Sequence, residues 1–444
     1  MTSFKVAVLG HWHLAFTSSA VLSHVGHSVV LVNPEFKASG APASDRDLQF
    51  QDFPKPPVTE PGLPEMIRAC QAEGRLAYTM SLEGWKAEAV WLAIDTPVND
   101  LDEPDVAPLV SALKKYVHAH PETKILIVSS QIPIGFARGL QKQFGLPVAV
   151  VPENLRLGKG IDTFLNADRT IVGADSESSL HYVKELLKGF KTEFLLCGLE
   201  TAEMTKHANN AFLATSISFA NELARIGEQY GVESQIVAKA LKLDKRIGPA
   251  AYVAPGLGFA GGTLPRDLRV LQKKGKETSI PTPLLDAVLK VNEETTTAIA
   301  EIVLSSVREL TENLKRAAQV LVLGYTYKAD TDTLRRSLSI DIARILKNKN
   351  CQVWGMDPVM NSHDLGQLDG LIHHCPQVED LKVQPDVVLV MTARPVFKTF
   401  PWRKVAKPDG STLVVDTQNW ISQAEVLDAG LKFKPLWSPL VSRQ

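Results

Sequence analysis

A short apolar run that ends in glycine occurs twice in this chain, and each copy opens a strand–helix–strand pattern. The first run is Phe4–Gly10, followed by an apolar helical stretch and by the strand-like Gly26–Val32. The second is Ala318–Gly324, followed by a helical pattern and by Gln352–Asp357. Continuous apolar strands are typical of parallel sheets that helices cover on both faces. The sequence therefore predicts an α/β protein with two Rossmann-like, doubly wound domains joined by a long central helix.

That central helical pattern runs from Thr201, a predicted N-cap, to Gly231, a predicted C′ residue. We therefore expect an N-terminal dinucleotide-binding domain at residues 1–200, a central helical region with a glycine-rich loop at 201–300, and a second Rossmann-like domain at 301–444. The central helix also carries an apolar stripe, which suits either packing within the chain or a dimer seam. The stripe consists of Phe212, Phe219, Leu223 and Ile226.

Composition argues against several classes of protein. The net charge of −1 predicts no general attraction to nucleic acid or to an anionic membrane. The sequence has no apolar window of about 18 residues and no signal-peptide pattern, so we expect a cytoplasmic protein that does not span a membrane. The four cysteines stand far apart, without a CxxC pair, and we predict buried thiols and no metal site.

The first turn, Gly10–Ala15, is where a dinucleotide pyrophosphate would meet a helix N-terminus in such a fold. Gly10 fits the tight turn, but Trp12 stands where the fingerprint has its second glycine, and its indole either points outward or obstructs the pyrophosphate. The second strand ends in Asn33, a weaker acceptor for ribose hydroxyls than a carboxylate. We predict NAD as the cofactor. The candidate cofactor-binding residues are Gly10, Trp12, His13, Leu14, Asn33, Thr96, Pro97 and Ser130.

Two further segments carry groups suited to chemistry on a hydroxyl. Lys206 and Asn210 are four residues apart on the central helix and share a face, where an ammonium and an amide suit an oxygen that develops negative charge. A solvated helix face is the ordinary interpretation of such a pair. The stretch Tyr252–Asp267 contains four glycines, which suit a loop that wraps a ligand closely. Its last residue, Asp267, is a candidate base.

Several segments follow one another in a characteristic order along the chain. They are Thr96–Pro97, Pro152–Gly158, Phe164–Arg169, Thr201–Phe212, Arg246–Gly248, Gly258–Asp267 and Tyr327–Asp332 with Arg335 and Ser337. In this order the chain resembles the UDP-glucose/GDP-mannose dehydrogenase family over nearly its whole length, and the helix and the Lys328–Arg335 stretch are the most specific parts of the resemblance. That family oxidises the C6 hydroxyl of a nucleotide sugar to a carboxylate in two hydride transfers.

The resemblance implies roles for individual residues. Lys206 would steady developing oxyanions with the help of Asn210, Asp267 would handle protons with a water, and Glu153 would act as a general base in the later step. Arg246 would arrive from the partner subunit of a homodimer formed through the central helix. The substrate would be a UDP-sugar, with a GDP-sugar as the alternative. The residues that would bind it are Asn154, Leu155, Arg156, Lys206, Asn210, Arg246, Tyr252, Gly258, Phe259, Lys328 and Arg335.

Three departures from the family pattern concern the second half of the reaction. Thr263 stands where the family has a cysteine that attacks the C6 aldehyde and carries a thioester. A threonine hydroxyl is a far weaker nucleophile than a thiolate unless a dedicated base activates it. Leu157 replaces a second acid, and Gln131 replaces a threonine that helps to hold a catalytic water. Thr263 stays among the catalytic candidates because of its position in the loop.

Two hypotheses of different classes follow. The first is an NAD-dependent oxidoreductase that acts on a nucleotide sugar without a thioester, by stopping at the aldehyde, by oxidising a hydrated aldehyde, or by a redox-neutral change. The second is a non-catalytic binding or regulatory relative whose NAD site is impaired by Trp12 and Asn33. An unrelated hydroxy-acid dehydrogenase would leave the second Rossmann-like half unexplained. We favour the first hypothesis because Lys206, Asn210 and Asp267 occur together.

Overall fold

The chain divides into two compact units, Met1–Asn209 with Arg269–Lys274, and Asn210–Leu268 with Gly275–Gln444. The described residues of each unit form one sheet, and the predicted α/β class with two Rossmann-like sheets is confirmed. The structure is a computed structural model. It describes residues 3–33, 53–58, 60–80, 85–99, 104–153, 155, 158–312, 316–326, 329, 334, 337–360, 366–368 and 370–441.

Within the described residues, the sheet of the first unit has eight strands in the order β3-β2-β1-β4-β5-β6-β7-β8. All neighbouring strands are parallel except β6 and β7. The strands are β1 (Lys5–Leu9), β2 (Ser28–Val32), β3 (Leu76–Thr79), β4 (Ala89–Leu92), β5 (Ile125–Val128), β6 (Val148–Val150), β7 (Arg169–Ala174) and β8 (Glu193–Cys197). The helices are α1 (His13–His24), α2 (Leu63–Ala72), α3 (Ala107–Ala119), α4 (Phe136–Phe144), α5 (Gly160–Leu165) and α6 (Glu177–Leu186).

Apolar side chains that point alternately to the two faces of the central strands form two apolar clusters in this unit. Val6 and Val8 belong to one cluster, and Ala7 and Leu9 belong to the other. Successive side chains of a strand point to opposite faces, so β1 is buried on both sides of the sheet. The strand order reverses between β1 and β4, and such a switch point opens a crevice at the carboxyl ends of the strands.

The described residues of the second unit form a parallel sheet of six strands in the order β11-β10-β9-β12-β13-β14. These strands are β9 (Ala318–Leu323), β10 (Cys351–Met356), β11 (His373–His374), β12 (Val387–Val390), β13 (Leu413–Asp416) and β14 (Lys432–Pro435). The remaining helices are α7 (Leu199–Glu228), α8 (Ser234–Leu243), α9 (Leu264–Glu277), α10 (Pro283–Glu312), α11 (Leu338–Asn348) and α12 (Gln423–Asp428). In the described part of the chain, no helix combines the length and the apolar character needed to cross a membrane.

The two ends of the central helix α7 were predicted with different success. The N-cap assignment of Thr201 is wrong, because the Gly198 carbonyl already accepts a helical bond from the Ala202 N–H at 3.1 Å and the helix begins at Leu199. Gly231 is confirmed as the C′ residue, since it adopts a φ of 69°. The N–H of Val232 donates to Gly227 and that of Gly231 to Glu228, as in a Schellman motif.

A buried histidine links the start of β2 to the end of α6. His27 is 3% exposed, its Nε2 lies 2.6 Å from the Leu186 carbonyl oxygen, and the Phe4 N–H donates to its Nδ1 at 3.4 Å. The neutral ring with its proton on Nε2 satisfies both contacts. Burial lowers the pKa of His27 below the ordinary histidine value, and the hydrogen bond to Leu186 offsets only part of that effect.

We predict that His27 makes the first unit less stable in mild acid. Because the unfolded chain binds a proton at this position more readily than the folded unit, the free energy of unfolding decreases as the pH falls from about 7 to about 5. Thermal unfolding of His27→Gln should show a smaller loss of Tm over that range than the wild type. The exposed His118 provides the control, and His118→Gln should keep the wild-type pH dependence. An unchanged slope in His27→Gln would contradict the prediction.

Candidate functional site

The turn after β1 has the close packing that a dinucleotide-binding turn requires. A Cβ atom on Gly10 would lie 2.5 Å from the Ala93 carbonyl oxygen and 2.5 Å from the Ala15 Cβ. Only glycine fits at this point, and a side chain larger than alanine at position 15 would push α1 away from the sheet. The turn therefore brings the N-terminus of α1 to the switch point between β1 and β4.

Trp12 occupies the N-cap position of α1 without backbone strain. Its φ of −114° and ψ of −177° lie in the extended region that any residue adopts, so this turn does not need a second glycine for its conformation. The residue is 45% exposed, and the indole is therefore not packed into the unit.

Four other candidate cofactor residues of this unit follow the carboxyl ends of β2, β4 and β5. The Asn33 N–H donates to the Thr79 carbonyl at 3.1 Å, which continues the pairing of β2 with β3. The Thr96 hydroxyl donates to the Gln131 carbonyl at 2.7 Å and so joins the loops after β4 and β5. Ser130 is buried and donates to the Leu92 carbonyl, Pro97 is exposed, and Leu14 packs against the core. Asn33, Thr96, Pro97 and Ser130 thus lie at the edge of the sheet where doubly wound domains bind ligands.

His13 and Glu60 form a buried pair that sequence reasoning did not find. The His13 Nε2 lies 2.9 Å from the Glu60 Oε2, and the two side chains are 7% and 1% exposed. Glu60 also accepts the backbone N–H groups of Gly158 and Gly160. The His13 side chain is thus used within the protein, and Glu60 connects the first turn to the segment that precedes α5.

The segment that contains Glu153 is also held at its other end. The Lys206 Nζ on α7 donates to the Glu153 carbonyl at 2.5 Å, and both residues are partly buried. Leu155 packs against the core of the first unit. The ammonium therefore lies beside the segment that was expected to line the sugar site. Asn154, Arg156 and Leu157 lie outside the described residues.

In the second unit, the structure pairs Asn210 with Asp267. The Asn210 Nδ2 on α7 donates to the Asp267 Oδ2 in the first turn of α9, and the two residues are 5% and 0% exposed. Thr263 is exposed and lies directly before α9. Among the described residues, no base is hydrogen-bonded to its hydroxyl, which would need one to act as a nucleophile.

Three side chains that sequence reasoning missed hold the glycine-rich loop. Asn292 on α10 accepts the Phe259 N–H at 2.8 Å and donates to the Phe259 carbonyl at 2.9 Å. Asn221 on α7 accepts the Gly256 N–H at 2.8 Å, and the Trp437 indole donates to the Gly256 carbonyl at 3.1 Å. Gly258 has a φ of 93°, and a Cβ there would lie 2.5 Å from the Asn292 Oδ1, so glycine is required on two counts.

Two predicted substrate residues near this loop stay at the surface of the described chain. Tyr252 is 46% exposed. Arg246 pairs with Asp244 at 2.7 Å, and this hydrogen bond raises the pKa of the already strongly basic Arg246. A surface pair of this kind contributes little to stability, so Arg246 can exchange Asp244 for a ligand at small cost. Lys328 and Arg335 lie outside the described residues.

The start of the segment that contains Lys328 is fixed by a buried ion pair, also missed from the sequence. The Arg394 Nε lies 2.9 Å from the Asp357 Oδ1, with side chains 5% and 0% exposed. The other oxygen of Asp357 accepts the N–H groups of Tyr325 and Thr326, at 3.0 and 3.1 Å. These residues lie at the carboxyl ends of β9, β10 and β12, the edge at which doubly wound domains bind ligands.

Sequence comparison assigns each part of the chain to a domain of one family. The NAD binding domain of the UDP-glucose/GDP-mannose dehydrogenase family matches residues 4–191. Its central domain matches residues 200–294, and its UDP binding domain matches residues 321–423. The three matches together cover well over half of the chain.

Individual relatives match from end to end. The UDP-glucose 6-dehydrogenase YwqF of Bacillus subtilis is 27% identical over 439 residues, which cover 97% of this chain and 96% of the relative. The putative UDP-glucose 6-dehydrogenase YtcA of the same organism is 30% identical over 443 residues, with 96% and 98% covered. A solved structure of a UDP-glucose dehydrogenase from the archaeon Pyrobaculum islandicum aligns with a TM-score of 0.81 at 27% identity and covers 98% of each chain.

We predict that Asn292 keeps the glycine-rich loop in its conformation. Asn292→Leu removes both hydrogen bonds to Phe259, and because each such bond contributes about 1 kcal/mol, the second unit should lose about 2 kcal/mol of stability. Urea unfolding checks this value, and the exposed Asn348 provides the matched control as Asn348→Leu. Equal stability of Asn292→Leu and Asn348→Leu would show that the contacts to Phe259 do not hold the loop.

Proposed function

This chain belongs to the UDP-glucose/GDP-mannose dehydrogenase family, and from that premise we propose that it oxidises a UDP-sugar with NAD without forming a thioester. The cofactor is NAD, in keeping with the NAD binding domain over residues 4–191. The observation that carries the proposal is the difference in burial and hydrogen bonding between two residues near the start of α9. Asp267 is buried and bonded to Asn210, whereas Thr263 is exposed and has no bonded base among the described residues.

The first oxidation needs a proton acceptor and stabilisation of a developing alkoxide. When bound, NAD accepts a hydride from C6 of the sugar. The Lys206 ammonium would stabilise the negative charge on O6, and the Asn210 amide would donate a further hydrogen bond to it. Asp267, with a water, would take the hydroxyl proton, so that the alcohol loses one hydride and one proton and becomes an aldehyde.

The second oxidation differs because no thiol occupies position 263. A threonine without an adjacent base does not attack an aldehyde readily. Oxidation therefore either ends at the aldehyde or continues from its hydrate, where water supplies the second oxygen and Glu153 would accept its proton. Support for a change in this half-reaction comes from the sequence, since Gln131 and Leu157 also depart from the family pattern.

Incubation of purified protein with NAD and a panel of UDP- and GDP-sugars tests the proposal. We expect NADH formation with a UDP-sugar, and mass spectrometry should identify the aldehyde, its hydrate or the acid. Asp267→Asn should lower kcat by roughly 10²–10⁴-fold, as for loss of a general base. No NADH and no altered sugar on any substrate would sink the proposal. Binding of UDP-sugars without binding of NAD would replace it by the non-catalytic alternative.

Thr263→Cys provides the companion experiment. If a missing thiol limits the second oxidation, this variant should accumulate a covalent acyl adduct that denaturation traps and mass spectrometry detects. It should also raise the yield of acid relative to aldehyde. Thr297→Cys places a thiol at another exposed threonine and should change neither quantity. Equal product ratios in the wild type and in both variants would show that the residue at position 263 does not set the course of the reaction.

We further propose that the apolar stripe of α7 is the seam of a homodimer. Its four members are 39–73% exposed in the single chain, which favours the dimer interpretation over packing within the chain. Clusters of large exposed apolar side chains on one helix face are typical of interaction surfaces. The members are Phe212, Phe219, Leu223 and Ile226.

Charged residues in this stripe should separate the subunits. Light scattering after size exclusion should give a dimer for the wild type and a monomer for the double variant Phe219→Glu with Ile226→Glu, because two carboxylates would be desolvated at the seam. Val396→Glu, at another exposed apolar position of the second unit, is the control and should stay dimeric. A monomeric wild type, or a dimer that survives the double variant, would contradict the assignment.

A further inference from the structure

Glu60 is a buried carboxylate whose two oxygens are satisfied by donors from two different parts of the first unit. Oε2 accepts from the His13 ring at 2.9 Å and from the Gly158 N–H at 3.0 Å, and Oε1 accepts the Gly160 N–H at 2.8 Å. The residue is 3% exposed. A carboxylate removed from water to this extent is stable only with such donors, and hydrogen bonds to a charged acceptor are stronger than neutral ones.

The packing around Glu60 leaves little space for either partner to move alone. A Cβ atom on Gly160 would lie 3.1 Å from the Glu60 Oε2 and 3.2 Å from the His13 Cε1, so the backbone of α5 is in close contact with both side chains. Gly158 adopts a φ of 83°, which directs its N–H to the carboxylate in a conformation that favours glycine.

The partners of Glu60 belong to the two segments that the proposed function assigns to the two ligands. His13 is the first residue of α1 and follows Trp12 in the dinucleotide turn. Gly158 ends the segment that begins at Pro152 and carries Glu153. The Lys206 ammonium holds the start of that segment through the Glu153 carbonyl, and Glu60 holds its end.

We propose that Glu60 is a positioning residue that couples NAD binding at the first turn to nucleotide-sugar binding beside Glu153 and Gly158. The inference rests on the proposed function for the identity of the two ligands. A dinucleotide that contacts the start of α1 restrains His13, and the packed contacts transmit that restraint to Glu60 and to the N–H groups of Gly158 and Gly160. Because neither partner has space to move alone, a ligand that restrains one end of this chain of contacts also restrains the other end, which gives positive coupling. Coupling between binding sites is reciprocal, so each ligand tightens the other by the same factor.

Calorimetric titrations with NADH and UDP-glucose measure this coupling without turnover, since NADH cannot accept a hydride. We expect NADH to tighten UDP-glucose binding to the wild type by about fivefold or more, and UDP-glucose to tighten NADH equally. In Glu60→Gln, one of the two glycine N–H groups faces an amide nitrogen instead of an oxygen, and the factor should fall towards one. A merely structural role would weaken both ligands and leave the factor unchanged.

The chain offers a matched control with the same chemistry. His120 and Glu122 form another histidine–glutamate pair of the first unit, 3.0 Å apart in the turn before β5. Glu122→Gln should keep the wild-type coupling factor. His13→Phe removes the ring donor and leaves Glu60 with its two glycine partners. It should lose coupling as Glu60→Gln does and serves as the second variant if Glu60→Gln does not fold.

The possible results separate this inference from the proposed function. Independent binding of NADH and UDP-glucose to the wild type overturns the coupling alone. A coupling factor that is unchanged in both Glu60→Gln and His13→Phe also overturns the coupling. A coupling factor that is lost to the same extent in Glu122→Gln overturns it too. Failure of the wild type to bind either ligand overturns both. If the coupling depends on Glu60 but the protein shows no oxidoreductase activity, the inference is supported and the proposed function is overturned.

Discussion

Buried carboxylates that accept hydrogen bonds from backbone N–H groups hold the loops at the strand ends of both units. Glu60 accepts from Gly158 and Gly160, and Asp357 accepts from Tyr325 and Thr326. Loops at the carboxyl edge of a parallel sheet leave N–H groups that no strand can pair, and a buried N–H without a partner destabilises the fold. One carboxylate satisfies two or three such groups at once, and the positions of these loops depend on the contacts.

Glu203 and Asp416 show how the cost of desolvation compares with the gain from hydrogen bonds at such buried carboxylates. Glu203 on α7 accepts the N–H groups of Gly135 and Ala137, and Asp416 accepts those of Gln418, Trp420 and Ile421. Burial nevertheless raises the pKa of both carboxyls, because desolvation outweighs the stabilisation of the charge by the N–H donors. These groups therefore contribute order to the loops rather than large net stability.

The difference between local and long-range information explains which features the sequence predicted. The strands and the C′ role of Gly231 depend on neighbouring residues, and the pattern predicted them. Glu60 lies 47 residues from His13 and 98 from Gly158, and Asn292 lies 33 residues from Phe259. Such partners meet only after the chain folds, and a lone Glu or Asn carries no periodic signal. Lys206, Asn210 and Asp267 were found because their spacing matched a family pattern, not because the spacing itself revealed a contact.

The difference between buried and exposed residues explains how the chemistry of a site can change while the fold stays the same. Four side chains at or near the glycine-rich loop are buried and hydrogen-bonded, so a substitution there disturbs packing; they are Asn210, Asp267, Asn221 and Trp437. Thr263 is exposed directly before α9, and its carbonyl accepts the Asp267 N–H, but in the described part of the chain its hydroxyl makes no hydrogen bond. A thiol can be exchanged for a hydroxyl at that point without cost to the framework. The geometry of the loop that positions the side chain of residue 263 is therefore kept, whether or not that side chain can act as a nucleophile.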